Sequence, residues 1–310
     1  MPVVTPDDLE ELASPTQASD PQWEYLAAMQ PQLAANPQDV ATFRTALTEG
    51  DNRLKQRFLD DEPVERLVRD RARLVDSLLK TAWSMHVGEH VRDVALIAVG
   101  GYGRGELNLC SDIDIMILLP KSESAPWQGS LEKFLTFMWD IGLEVGHSVR
   151  TIDDCQRESA ADVSVATTMI EARLLKGPEL LFEAMRRALG PERVWPTKDF
   201  FEAKVTEQTT RHHRYHDTAY NLEPNVKASP GGLRDIQTIG WVAKRHFNAD
   251  SLDELVEHGF LTRSELRKLK TAQAFLWKVR FALHVVTRRR EDRLLFDHQI
   301  RLAKMFGYED

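Results

Sequence analysis

Cysteine is nearly missing: Cys110 and Cys155 are the two in 310 residues. They are too few for a disulfide framework and lack metal-site spacing, which fits a reducing compartment. Cys110 reads as a small filler, not a nucleophile. No apolar run approaches the roughly 20 residues of a membrane span. The start, Met1-Pro2-Val3-Val4-Thr5-Pro6-Asp7-Asp8, has neither the basic nor the apolar region of a signal peptide. A cytoplasmic protein without a membrane partner is expected. An excess of cations is also lacking, since 40 Lys and Arg face 48 Asp and Glu for a net charge of −8. That balance disfavours a polymerase tracking nucleic acid, while leaving room for a local basic groove, and points to a protein or small-molecule acceptor. Two phosphate signatures are missing too. No Gly-Lys-Ser or Gly-Lys-Thr occurs, which excludes a Walker loop. Gly101-Tyr102-Gly103-Arg104-Gly105 is followed by Glu106 where a dinucleotide fingerprint needs its third glycine.

What is present is a pair of aspartates, Asp112 and Asp114, alternating with isoleucines in Ser111-Asp112-Ile113-Asp114-Ile115. On a strand, side chains two apart share a face, so both carboxylates leave together while the isoleucines enter the core. Val94 to Val99 ahead of them is continuously apolar and reads as a buried strand. The pair Gly100-Gly101 then lets the chain turn with bare amides. Amides beside carboxylates that hold Mg²⁺ or Mn²⁺ form a site for a nucleoside triphosphate, because the metal bridges phosphate oxygens that the amides also contact. Nucleotidyl transfer follows.

Residues 1–20 read as a flexible leader, 21–90 as a helical arm, 91–158 as the nucleotide-binding domain and 159–310 as a helical domain. The arm holds a short helix at Trp23 to Met29, one at Val40 to Leu59, and one opened by Pro63. Lys121 to Gly129 is a polar loop. Leu131 to Ile141 predicts a helix with Leu131, Phe134, Leu135, Met138 and Trp139 inward, and Leu143 to Arg150 predicts a strand. Glu144 on that strand is the natural third carboxylate, as a general base or second-metal ligand, or else a salt-bridged edge residue. His147 falls on the other face. Helices are expected at Val163 to Leu175, Glu179 to Leu189, Phe200 to His216 and Leu266 to Val286. The last has Leu269, Ala272, Phe275, Leu276, Val279, Leu283 and Val286 as its core side. The loop Asn221 to Asp235 interrupts this domain, and Arg211 to Phe247 carries six Lys or Arg against three Asp or Glu. Gly231-Gly232 ahead of a helix near Leu233 offers free amides for phosphate. Arg288-Arg289-Arg290-Glu291-Asp292-Arg293 reads as a solvated face, and the lone pair His216-Asp217 as too little for a metal phosphohydrolase.

Val99-Gly100-Gly101-Tyr102-Gly103-Arg104-Gly105-Glu106-Leu107 with Ser111-Asp112-Ile113-Asp114 resembles the polymerase-β-type nucleotidyltransferase motif in its bacterial signalling form. Tyr220 to Lys227 and Gly231-Gly232-Leu233-Arg234-Asp235-Ile236-Gln237 resemble the helical domain of PII uridylyltransferases, and Leu294 to Gln299 extends the likeness. The resemblance implies an α+β fold: a polymerase-β-like domain on a small mixed sheet with helices, then an all-α helical domain. It implies an enzyme that moves UMP from UTP to a tyrosine of the PII nitrogen-regulatory protein, releasing pyrophosphate. Asp112 and Asp114 would bind the metal ions; Gly100, Gly101 and Ser111 would hold the triphosphate, with Arg104 as a phosphate contact. Lys227, Gly231, Gly232, Arg234 and Asp235 would complete the site. A related adenylyltransferase family places an acid where this chain has Gly146, two residues from Glu144. Members of the uridylyltransferase family continue into a phosphohydrolase domain and glutamine-sensing domains, so the chain is expected to be their N-terminal part, with transfer but no uridylyl removal. The rivals are adenylylation of glutamine synthetase and a catalytically silent nucleotide-binding regulator.

Overall fold

The computed structural model describes residues 23–88, 93–120, 128–249 and 251–308. The expected leader and most of the Lys121 to Gly129 loop lie outside them.

The arm opens with α1 (Glu24–Ala35), α2 (Val40–Leu59) and α3 (Val64–His86). Asp39 caps α2 by accepting the Ala41 and Thr42 amides at 3.2 and 3.0 Å, and Pro63 stands at the N-cap of α3. The sheet follows: β1 (Ala95–Ala98), the single turn α4 (Gly100–Gly103), β2 (Ile113–Leu119), α5 (Gln128–Asp140) and β3 (Val145–Thr151). After α6 (Ile152–Ala161) and α7 (Val163–Ile170) comes β4 (Arg173–Lys176). The order is β3-β2-β1-β4, with β2 and β3 parallel and both neighbours of β1 antiparallel to it. The helix expected over Val163 to Leu175 therefore stops at Ile170. Arg173 to Lys176 is too short and too mixed in character to announce a strand; pairing with β1 makes it one.

β2 is covered on both faces, which is why it reads as an unbroken apolar run. Ile113, Ile115 and Ile117 enter a core with α1, α2, α3 and α5, whereas Met116 and Leu118 enter a second core with α6, α7 and α8 (Glu179–Ala188). Asp112 and Asp114 share the face of Met116 and Leu118 by alternation, at the end of the strand where that second core stops. In α5 the inward residues are Leu131, Phe134, Phe137 and Met138, while Trp139, expected inside, is exposed.

The helical region comprises α9 (Thr197–His213), α10 (Leu233–Phe247), α11 (Glu254–Glu257), α12 (Arg263–Thr287) and α13 (Phe296–Met305). α12 buries only its second half, from Trp277 to His284, against Leu54, Phe58, Leu67 and Val68 of the arm. Phe275, read as core, is exposed because the first half of α12 extends past the arm. None of the described helices is long and apolar enough to cross a membrane.

Candidate active site

β1 delivers the chain to Val99, whose extended backbone leads into Gly100 at φ +59°. The Val99 amide bonds to the Asp114 carbonyl at 3.0 Å, locking turn to acid strand. The downstream amides of Gly103, Arg104 and Glu106 fold back onto Val99, Gly100 and Gly101. Those bonds use the carbonyls of Val99, Gly100 and Gly101; the amides of Gly100 and Gly101 find no protein acceptor among the described residues, as is usual in a first turn. Tyr102 anchors the turn from below. Its hydroxyl donates to Asp76 of α3 at 2.6 Å, and Asp76 also holds Arg173 of β4 at 2.7 Å. Glycine is required at 103, where a Cβ would stand 2.2 Å from the Glu171 carbonyl.

The acids are held in register by β3, which sets Asp114 beside Gly146. A Cβ at 146 would come within 2.6 Å of Asp114 Oδ1, so a side chain there would displace that carboxylate. Glu144 stands just before β3, exposed, in the same cleft as Asp112 and Asp114; its carbonyl accepts the Ile113 amide at 3.2 Å. Burial and the neighbouring Asp112 raise the Asp114 carboxyl above its usual range, against the pull of Lys227 and Arg290. Ser111 Oγ and Asn108 Oδ1 are buried with no hydrogen-bond partner among the described residues.

Across from the acids, a cavity of about 450 Å³ is walled by α4, α7, α9, α10 and α12. Its cations are Arg104, Lys204, Arg211, Lys227, Arg234, Arg280 and Arg290. Lys227 is presented by a tight turn in which Asn225 Oδ1 accepts the amides of Lys227 and Ala228 at 3.1 and 2.8 Å. Burial first, then Arg280, lowers its ammonium to about 8. The segment after α12, expected to be a solvated face, forms the cavity's last wall. Arg290 pairs with Asp112; the Asp292 carbonyl accepts the Val226 amide at 2.8 Å, and Arg293 bridges to Asn225. Burial would raise the Asp292 carboxyl, yet His284 and Arg280 hold it well below the usual range. His284, fully buried on α12, accepts the Cys110 amide at Nδ1 over 3.2 Å and so ties the helical region to the acid loop.

Residues 80–174 match the family model of the nucleotidyltransferase domain, and residues 199–310 match that of the GlnD PII-uridylyltransferase. The bifunctional uridylyltransferase/uridylyl-removing enzyme of Nitrosococcus oceani is 54% identical over 267 residues, covering 86% of this chain. Its counterpart in Pseudomonas syringae pv. syringae is 50% identical over 281 residues, 91% of this chain. The chain belongs to this uridylyltransferase family. It spans 30% and 31% of the length of those two relatives.

Several residues matched to the uridylyltransferase motifs stand elsewhere than expected. Arg104 is held by Glu106 at 2.8 Å and by Glu171, which also accepts Trp241 Nε1, so its charge is already matched. The turn at Gly231-Gly232 has no open amides. Gly231 donates to Asp235 Oδ2 at 2.7 Å, Gly232 to Ser229, Leu233 to Val226, Arg234 to Lys227 and Asp235 to Gly232. Asp235 is outside the cavity lining; it gathers Gln208 at 2.9 Å, Arg211, and His212 at 3.0 Å, and so fixes α9 against the loop. Lys227 and Arg234 do line the cavity, as do Gly100, Gly101, Ser111, Asp112 and Asp114. Arg280, Arg290 and His284 escaped notice in the sequence, because a cation on a helix face or in a charged run looks solvated until its partner's position is known.

Proposed function

We propose that this chain transfers UMP from UTP to a tyrosine hydroxyl of the PII protein and releases pyrophosphate. One observation supports this most: the open amides of Gly100 and Gly101 and the pair Asp112 and Asp114 face a cavity ringed by Lys227, Arg234, Arg280 and Arg290. A triphosphate is the substrate whose charge that ring matches.

The carboxylates suit a divalent cation. Among the described residues no group of three or more His, Cys, Asp or Glu could hold one alone, but Mg²⁺ commonly takes one or two carboxylates and fills its shell with phosphate oxygens and water. Asp112 and Asp114 would hold it, and it would neutralise charge developing on the phosphates. The protein's own share is positioning. The Gly100 and Gly101 amides and Ser111 Oγ cradle phosphate oxygens, Lys227 and Arg234 stabilise the departing pyrophosphate, and Trp241 and Trp277 give the cavity aromatic wall. Arg290, paired with Asp112, would give up that carboxylate to a bound cation, and from the cavity lining it is placed to meet the triphosphate.

Intact-mass analysis of PII after incubation with this chain, Mg²⁺ and either UTP or ATP tests the reading. The expected result is a uridylyl increment with UTP only, lost in Asp112→Asn. An adenylyl increment would replace the proposal with its nearest rival. No increment from either nucleotide, with UTP still bound, would favour a nucleotide-binding regulator.

A further inference from the structure

Asp112 and Asp114 line two cavities, not one. Besides the cation-ringed cavity, they border an open cleft of about 680 Å³ completed by Trp139, Gly142, Leu143, Glu144, Val145 and Gly146. The two spaces differ in charge. Seven Lys and Arg line the first, namely Arg104, Lys204, Arg211, Lys227, Arg234, Arg280 and Arg290, against the five acids Glu106, Asp112, Asp114, Glu171 and Glu207; no Lys or Arg lines the second, where Asp112, Asp114 and Glu144 stand. A polyanion is therefore drawn to one side of the acids and a neutral group is tolerated on the other.

In phosphoryl transfer the attacking and leaving oxygens lie roughly in line on opposite sides of phosphorus. If pyrophosphate departs into the cationic cavity, the attacking oxygen enters from the cleft. The cleft is shaped for an aromatic hydroxyl. Trp139 stands 54% exposed while its neighbours Phe137 and Met138 are buried. Its carbonyl accepts the Gly142 amide at 3.0 Å at the end of α5, and its ring lies beside that of His147 with centroids 6.0 Å apart. An exposed tryptophan is a common anchor for a partner. Between Trp139 and the acids, Gly146 contributes no side chain, so the floor lies open up to Asp114.

Building on the transferase reading, we propose that this cleft is the acceptor site. Trp139 packs against the phenol ring of a tyrosine presented on a protein loop, and Glu144 receives its proton. The phenolic oxygen forms the bond to the α-phosphorus, the bond from that phosphorus to the bridging oxygen breaks, and pyrophosphate leaves with the electron pair. The proton passes from the Glu144 carboxylate to water.

The test is steady-state transfer to PII by this chain and by Trp139→Ala, Trp139→Phe and Glu144→Gln, with UTP affinity measured by calorimetry as a check on the nucleotide cavity. Expected are a rise of tenfold or more in KM for PII with Trp139→Ala, recovery to within about threefold with Trp139→Phe, and a fall in kcat without a change in KM for Glu144→Gln. UTP affinity should stay within twofold in all three. A KM for PII within twofold of the unaltered chain in Trp139→Ala would overturn the acceptor site while leaving the transferase intact. Failure of the unaltered chain to modify PII would remove both.

Discussion

Two glycine pairs have met opposite fates: Gly100-Gly101 lines the cation-ringed cavity, whereas Gly231-Gly232 does not. Gly100-Gly101 opens the single turn α4 and Gly231-Gly232 precedes α10, and each pair has its first glycine in the left-handed region, at φ +59° and +78°. Around the first pair the amides stay open; around the second every amide from Gly231 to Asp235 is consumed by the chain. The difference is a carboxylate. Asp235, four residues after Gly231, turns back to take its amide, and the carbonyls of Val226, Lys227 and Ser229 take others. Nothing comparable follows Gly100, where position 104 is an arginine facing two glutamates. A glycine pair therefore marks a sharp turn; whether that turn binds phosphate depends on what the next few side chains do to its amides. On the proposed reading the first pair serves chemistry, and the second serves the placement of Lys227.

The largest effect that would test this division lies beside the first pair. Asp114→Asn should lower kcat on the order of 10³-fold, about 4 kcal/mol of barrier, with the melting temperature held or raised, since burial and Asp112 already disfavour that charge. Steady-state transfer and thermal unfolding of the same sample decide it. Near-normal turnover would show that this carboxylate does not hold the cation that the transfer needs.

Alanine at each first glycine gives the direct contrast. Both positions impose a similar left-handed strain of about 1–2 kcal/mol on a residue with a Cβ. At 100 the new methyl lies 3.5 Å from Asp114 Oδ2, whereas at 231 nothing stands within 4 Å. Gly100→Ala should raise KM for UTP by tens of fold and Gly231→Ala by less than threefold, with comparable losses in midpoint by denaturant unfolding. Equal losses of UTP affinity would put both turns on the nucleotide.

This contrast also marks how far the sequence could be read. The Asp112 to Ile117 alternation, the glycine turn and the long arm helices were legible because strand period, helix period and turn chemistry are local. Glu144 was read near the acids, and it stands in their cleft. What was not legible depends on distant partners. Arg290 looked solvated because its partner Asp112 lies 178 residues away. Trp139 looked internal because helical spacing alone cannot say that α5 ends at the rim of a cleft. β4 went unseen because four mixed residues become a strand only by pairing with β1. Asp235 was placed in the site by its motif alone, and a motif does not say whether an acid meets the ligand or the amides of its own turn.

A smaller effect concerns what the second turn presents. With its ammonium lowered to about 8 by burial and Arg280, Lys227 is a full cation below that pH and loses its charge above it. The triphosphate favours the charged form, so kcat/KM for UTP should be level below about pH 8 and fall about tenfold per unit above it. Lys227→Arg should move that fall to higher pH, since guanidinium keeps its proton. A profile flat to pH 10 in the unaltered chain would mean that Lys227 does not meet the nucleotide.

The smallest effect separates placement from chemistry in the second turn itself. Burial would raise the Asp235 carboxyl, but the bonds from Gln208, Arg211, His212 and Gly231 hold it below the usual range. A carboxyl depressed in the folded state adds stability above its unfolded pKa, and that contribution disappears as pH falls through the folded value. Asp235→Asn should therefore cost about 1–3 kcal/mol near neutral pH and progressively less toward acid. Because Gly231 and Arg211 lose their common acceptor, the turn carrying Lys227 loosens, and KM for UTP should rise only severalfold while kcat with saturating UTP holds. Urea midpoints across pH 3 to 7 supply the check. A loss that stayed constant with pH would mean that Asp235 acts through shape and not through its charge.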